Sequence, residues 1–133
     1  MEKRLELTDE VHEWIRKAEE DYRAAKHLLR RRSSPTYNII CFCAQQCAEK
    51  YLKAYLTAAG RRFPYRHQLE KLLLPLCVEV DPSFGFIEEL LRVLDAYSVD
   101  YRYPGESAND QQARRAIQAA RNIRRFVRTK LGA

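Results

Sequence analysis

The segment of residues 39–55, IICFCAQQCAEKYLKAY, constrains the fold of this chain more than any other. Its apolar residues recur at spacings of three and four, which predicts a helix that is apolar on most sides and therefore central in a bundle. The same helix must also place Gln46, Lys50 and Lys53. Polar groups on a buried helix cost free energy unless they are exposed, paired or used. The segment therefore predicts a central helix that carries one polar strip.

The rest of the chain is also predicted to be helical, because no segment alternates apolar and polar residues for long enough to form a sheet. With 4 Gly and 5 Pro, breaks are confined to a few places. Thr8 is a good N-cap for the first helix, and Ser107 with Asp110 resembles a capping box for the last. The predicted helices cover residues 9–31, 35–59, 67–77, 84–101 and 108–131. We expect a single all-α domain over residues 1–133, an up-and-down bundle of four main helices plus one short helix.

Composition narrows the functional classes. The formal net charge of +6 is compatible with a polyanionic partner, since Arg side chains match phosphate geometry. No apolar run is long enough to span a bilayer and no secretory segment opens the chain, so we expect a cytoplasmic protein without a membrane partner. Cys41, Cys43, Cys47 and Cys77 match no usual zinc pattern, so we expect reduced, buried thiols, no metal and no cofactor. Motifs of phosphate loops, zinc proteases and serine hydrolases are missing from the sequence.

The polar strip of the central helix has two interpretations. Gln46, Lys50, Lys53 and Thr57 share one side of a helix, and Glu49 stands four residues before Lys53 in the order that favours an ion pair. The strip is either a solvated edge with one salt bridge or the floor of a groove or dimer contact. Periodicity alone favours the solvated edge.

The loop of residues 61–67 combines guanidinium groups, aromatic rings and an imidazole. Arg offers bidentate phosphate contacts, rings offer stacking, and His67 can move a proton near neutral pH. This set could bind a nucleotide or cleave RNA. The same composition is also typical of an exposed basic loop in which His67 caps the next helix.

The segment of residues 97–105 is unusually rich in tyrosine. Tyr97 and Tyr103 flank Arg102, which could stack on a ring or hold an anion. Further along, the last helix carries Arg114, Arg121, Arg125 and Arg128 on one side, with no acid after Asp110. That side is either a solvated face or a positive surface for an acidic partner or an RNA backbone.

The order of these motifs resembles that of the HEPN domain (higher eukaryotes and prokaryotes nucleotide-binding). The resemblance rests on the Ala-Glu-x-Asp-Tyr of residues 18–22, the QQCAEKYLKA of residues 45–54, the Pro64…His67-x-Leu69 pattern and the YRYP of residues 101–104. It covers nearly the whole chain. It implies a bundle of four to five helices that commonly forms a homodimer and binds nucleotides, often beside a minimal nucleotidyltransferase in a toxin–antitoxin or defence module.

Many relatives of this type are metal-independent RNases with an Arg followed, after four to six residues, by His near the start of the last long helix. In this chain the last helix has no His, and Arg61 and Arg62 precede His67 by five and four intervening residues in an earlier loop. An RNase with Arg61, Arg62 and His67 is therefore the alternative hypothesis, and a purely structural dimerisation module is another. The preferred hypothesis is a phosphate-binding groove with a defined lining, namely Gln46, Lys50, Lys53, His67, Tyr97, Arg102 and Tyr103.

Overall fold

The structure is a computed structural model that describes residues 4–31, 36–65, 68–97 and 107–133. The described residues form five α-helices: α1 (Asp9–Arg30), α2 (Tyr37–Ala58), α3 (Leu74–Val80), α4 (Glu88–Asp95) and α5 (Asp110–Leu131). A π-helical turn, Leu69–Leu73, leads into α3, and a 3₁₀ helix, Pro82–Ile87, leads into α4. The prediction of an all-α bundle is confirmed.

Contacts between the helices show the up-and-down order. The start of the chain lies beside the end of α2, since the Glu6 N–H donates to the Ala58 carbonyl at 2.9 Å. The 3₁₀ helix before α4 packs on the same end of α2, with the rings of Phe84 and Tyr55 4.3 Å apart. Helices α1 and α4 therefore run antiparallel to α2. Helix α5 runs parallel to α2 and antiparallel to α1, which closes the bundle.

Helix α2 occupies the centre, as its apolar composition predicts. Its small and aromatic residues are in contact with α1 on one side and α5 on the other. Its fully buried side chains include Ile40, Cys41, Ala44, Cys47, Ala48, Tyr51, Leu52, Ala54 and Leu56. Small residues at the contacts allow the long helices to approach closely, and α5 contributes a matching row: Ala113, Ala116, Ala119 and Ala120.

The helix ends follow local capping chemistry. The Thr8 hydroxyl accepts the Val11 N–H at 3.3 Å, so the predicted cap of α1 is confirmed. Gly60, in the left-handed region with φ 69°, follows the end of α2 as expected. The capping box predicted for Ser107 and Asp110 is wrong. Asn109 caps α5 instead: its Oδ1 accepts the Gln112 N–H at 2.8 Å, and the Gln112 side chain accepts the Asn109 N–H at 2.9 Å.

The short elements differ most from the prediction. The helix expected over residues 67–77 begins at Leu69 as a π-helical turn and continues as α3 to Val80. The helix expected over residues 84–101 is a 3₁₀ helix up to Ile87, and α4 ends at Asp95. Pro82 opens this 3₁₀ segment and Gly85 lies within it. Among the helices of the described residues, none combines the length and apolarity that crossing a bilayer requires.

Candidate functional site

The polar strip of α2 is largely buried against its neighbours and is not a solvated edge. Gln45, Glu49 and Lys53 expose 0%, 2% and 5% of their surface, whereas Gln46 and Lys50 are half-buried. The Lys50 ammonium donates to Asp21 of α1 at 2.5 Å, and the Gln46 amide donates to the Gln45 side chain. The strip thus lies partly in the contact between α1 and α2, and its cations already have carboxylate partners.

Lys53 lies between two aromatic rings. Its Nζ is 5.6 Å from the centre of the Trp14 ring and 5.7 Å from that of Phe63, and it donates to Glu49 at 3.1 Å. The two rings meet edge to face at 6.1 Å. A desolvated ammonium gains from ring faces as well as from its ion pair. Lys53 therefore fixes the start of the loop after α2, through Phe63, onto α1.

Asp95, at the end of α4, ties together two distant parts of the chain. Its two oxygens accept the N–H groups of Leu69 and Glu70, each at 2.9 Å. Burial, together with the nearby charges of Glu70 and Glu49, raises the pKa of the Asp95 carboxyl above its ordinary value. Asp95 therefore holds the start of the π-helical turn against the end of α4, and this contact lies near Glu49 of α2.

The predicted groove residues can be placed only in part. Tyr97 is buried, with 6% of its surface exposed, two residues beyond Asp95. His67, Arg102 and Tyr103 lie outside the described residues. The convergence of the groove residues stays a prediction. The described contacts that bear on it are those of Asp95 with Leu69 and Glu70, which bring the two neighbouring chain segments together.

The RNase hypothesis also stays a prediction. The Arg61 guanidinium pairs with Glu79 at the end of α3, and Arg62 is exposed. His67, which would serve as general base, lies outside the described residues. The ion pair with Glu79 holds Arg61 against α3. Arg61 would have to leave Glu79 before it could contact a scissile phosphate.

The arginines of α5 have more partners than the sequence indicated. Glu19 of α1 accepts two bonds from the Arg124 Nε, both at 2.9 Å, and one from Arg128 at 2.8 Å. Arg128 also donates to the Tyr51 hydroxyl at 3.3 Å, and Arg124 lies over the Tyr22 ring, 4.9 Å from its centre. Of the four arginines that the sequence places on one side of α5, Arg128 is therefore paired with an acid that comes from α1, a contact that the sequence of α5 alone does not show.

The first half of α5 keeps its positive field. There α1 and α5 border an open cleft of about 550 Å³. The Arg121 Nε donates to the Tyr22 hydroxyl at 3.0 Å, and Arg114 pairs with Asp110 at an exposed site. Among the described residues no carboxylate lines the cleft, whose lining is Lys26, Leu29, Arg30, Arg114, Ile117 and Arg121. Four cations, of which Arg114 is already paired with Asp110, thus surround a small aliphatic floor.

Sequence reasoning missed half of this cleft. Lys26 and Arg30 stand four residues apart on α1, so they share one face, and that spacing was a usable signal. What the sequence could not supply was the pairing of this face with Arg114 and Arg121 of α5. The described residues hold no group of His, Cys, Asp and Glu side chains that could bind a metal ion.

The sequence and the fold were compared with known proteins. The model of the HEPN domain family matches residues 11–130. The fold is similar to the crystal structure of TT1696 from Thermus thermophilus, with a TM-score of 0.74, 25% identity, and coverage of 92% of this chain and 99% of that one. It is also similar to ST0689, an archaeal HEPN homologue, with a TM-score of 0.71, 26% identity, and coverage of 90% and 96%. A search among curated proteins gave no match.

Proposed function

Because this chain belongs to the HEPN domain family, we propose that it is a HEPN module that binds the phosphate groups of a nucleotide or of RNA and acts beside a minimal nucleotidyltransferase in a toxin–antitoxin or defence-type system. The observation that supports phosphate binding is the cationic cleft between α1 and α5. Concave sites lined by one sign of charge concentrate ligands of the opposite sign.

The cleft supports this function better than the strip on α2. Lys50 and Lys53 already pair with Asp21 and Glu49, so a phosphate would have to displace a carboxylate from each. In the cleft Lys26 and Arg30 have no carboxylate partner among the described residues, and the ion pair of Arg114 is exposed and cheap to exchange. Phosphate binding there requires no buried pair to break.

Binding of labelled single-stranded RNA and of ATP, followed by fluorescence anisotropy over a salt series, tests the proposal. For the RNA, four phosphate contacts predict a slope of log K against log salt of about −3, because each contact contributes about −0.7 for a single strand. Arg30→Gln should weaken binding and reduce the slope by about 0.7. Arg125→Gln, an exposed change on α5 outside the cleft, is the matched control and should leave both unchanged. No binding of either ligand at low salt would refute phosphate binding.

The groove predicted around residues 46–53 is the alternative location for the phosphate site, in competition with the α1–α5 cleft. Lys50→Gln removes one of its cations and leaves the cleft intact. If the phosphates bind in the cleft, this variant binds RNA and ATP as the wild type does. A loss of affinity in Lys50→Gln with full affinity in Arg30→Gln would move the site to the predicted groove.

The partner and the assembly remain proposals that family membership supports. We propose a cytoplasmic homodimer that acts beside a small nucleotidyltransferase. The free thiols of Cys41, Cys47 and Cys77, all buried, agree with a reducing compartment. Co-expression with the nucleotidyltransferase of a neighbouring reading frame, followed by light scattering of the purified complex, tests both points. Failure of the two chains to co-purify would remove the partner from the proposal without affecting phosphate binding.

A further inference from the structure

We propose that the α1–α5 cleft recognises a chain of phosphates and does not read the base. Its ligand class would be the linear polyphosphate moiety, whether free tripolyphosphate, the triphosphate of any nucleotide or the triphosphate end of an RNA. This inference rests on the proposed function, since it specifies which part of the ligand the same site contacts.

The spacing of the cations fits a linear anion. On α1, Lys26 and Arg30 are one turn apart, about 6 Å along the axis. On α5, Arg114 and Arg121 are two turns apart, about 10 Å. Because the two helices run antiparallel, the four cations form two rows that face each other across the floor. Two facing rows suit an extended polyanion better than a single compact anion.

The chemistry of the lining limits base recognition. Every polar side chain of the lining belongs to Lys or Arg, which donate hydrogen bonds and accept none. Such a lining cannot accept from the amino groups of adenine or cytosine, and guanine, whose O6 and N7 accept from Arg, is the base whose binding tests the inference most sharply. The remaining lining side chains, Leu29 and Ile117, are aliphatic and offer no pattern at all.

The cleft also lacks a surface for base stacking. None of its described lining residues is aromatic. Of the rings near the cleft, Tyr22 exposes only 6% of its surface and already lies against Lys26 at 5.0 Å and Arg124 at 4.9 Å. The half-buried Tyr37, near Arg114, lines a different cleft with Asn38 and Ala108. Strongly exposed aromatic side chains among the described residues, Tyr65 and Phe86, belong to other elements. A base attached to the bound phosphates would therefore meet no described ring that lines the cleft.

Arg121 is prepared for a phosphate before the ligand arrives. Its Nε is bound to the Tyr22 hydroxyl at 3.0 Å, which fixes the plane of the guanidinium. The terminal amino groups of the same side chain have no partner among the described residues, and Arg121 lines the cleft. Pre-organisation of this kind reduces the entropy lost on binding. Arg121 is thus the side chain on which affinity should depend most.

Isothermal titration of the full chain compares tripolyphosphate, ATP, GTP, CTP and adenosine at constant ionic strength. We expect the dissociation constants of tripolyphosphate and the three nucleotides to agree within about threefold, and adenosine to give no heat. A preference of more than about tenfold for one base, or ATP binding that tripolyphosphate cannot displace, would overturn the inference and leave the proposed function intact. Absence of binding by all five ligands would overturn the inference, and the RNA titration described above then decides whether the proposed function fails with it.

Variants localise the effect. Arg121→Gln should weaken tripolyphosphate and ATP by the same factor, about tenfold or more, since charge-assisted bonds to phosphate are lost from both. Arg121→Lys keeps the charge, but loses the planar fork and the Tyr22 contact, and should recover part of the affinity. Arg125→Gln is the control for the charge of α5. If Arg121→Gln weakens ATP but not tripolyphosphate, the site reads more than phosphate and the inference is wrong. Circular dichroism confirms that each variant is folded.

Discussion

At the scale of single residues, Lys53 shows how a charged side chain is kept inside the central helix. Its ammonium is 5% exposed and lies against one carboxylate, that of Glu49, and two ring faces. The arrangement binds α2 to α1 through Trp14 and to the following loop through Phe63. Such a buried pair contributes little net stability compared with an apolar pair, but removal of one partner leaves the other charge buried and uncompensated.

We therefore expect Lys53→Met to lower the free energy of unfolding by about 3–5 kcal/mol, measured by urea denaturation. Lys50→Met is the matched control, because the Lys50–Asp21 pair is more exposed, and it should cost less than about 1 kcal/mol. The double variant Lys53→Met with Glu49→Gln should recover part of the loss. Equal costs for the two lysines would show that burial of the Glu49 pair does not matter.

Glu19 gives the molecule a pH dependence of known sign. Burial alone would raise the pKa of this carboxyl, but hydrogen bonds from Arg124 and Tyr51 and the charges of Arg124 and Arg128 outweigh burial, so its pKa lies below the ordinary value of 4.5. The unfolded chain therefore binds the proton more tightly than the folded chain. The stabilisation from the ionised carboxylate is complete above pH 4.5 and is lost as the pH falls through the folded pKa.

Glu19→Gln should accordingly lower the free energy of unfolding by about 2 kcal/mol at neutral pH, since it weakens charge-assisted bonds to two arginines. The urea curves of wild type and variant should converge as the pH falls below 4.5. Glu20→Gln, on the exposed side of α1, serves as the control. A difference that stays constant down to about pH 3 would contradict the assigned role of the carboxylate.

At the scale of elements, local signals predicted the long helices well and the short ones poorly. The start of α1 at Thr8 and the end of α2 before Gly60 follow from side chains within one turn. The start of the third helical segment depends instead on Asp95, which is 26 residues from Leu69 in sequence, and no local pattern contains that contact. The Glu19–Arg124 pair, separated by 105 residues, was inaccessible for the same reason.

The cap of α5 can be tested directly, because the sequence favoured Ser107 as the capping residue and the structure has Asn109. Asn109→Ala should lower the free energy of unfolding by about 1 kcal/mol, because the N–H of Gln112 loses its acceptor. Ser107→Ala, at the position favoured by the sequence, should change it by less than about 0.5 kcal/mol. The reverse result in chemical denaturation would place the helix start two residues earlier than the structure does.

At the scale of the whole molecule, the packing of α1 on α5 brings together cations from two distant parts of the sequence. Lys26, Arg30 and Arg121 have no carboxylate partner among the described residues, and Arg114 pairs with Asp110 at an exposed site. The candidate phosphate site arises from this packing. The sequence shows a basic composition and a cationic α5. It does not show which face of α1 lies opposite α5, because the packing of both helices around α2 decides that.

A cluster of like charges without a ligand should cost stability. Arg30→Gln removes one member of the cleft, so at low salt it should raise the free energy of unfolding, by at most about 0.5 kcal/mol. The gain should disappear at high salt, where screening weakens the repulsion among the remaining cations. Tripolyphosphate should raise the melting temperature of the wild type more than that of Arg30→Gln, because the stabilisation by a ligand grows with the logarithm of its concentration relative to its dissociation constant. Thermal denaturation across a salt series measures all three effects. If Arg30→Gln instead lowers the free energy of unfolding equally at every salt concentration, the Arg30 side chain stabilises the fold through packing. Repulsion among the cations of the cleft would then not affect stability.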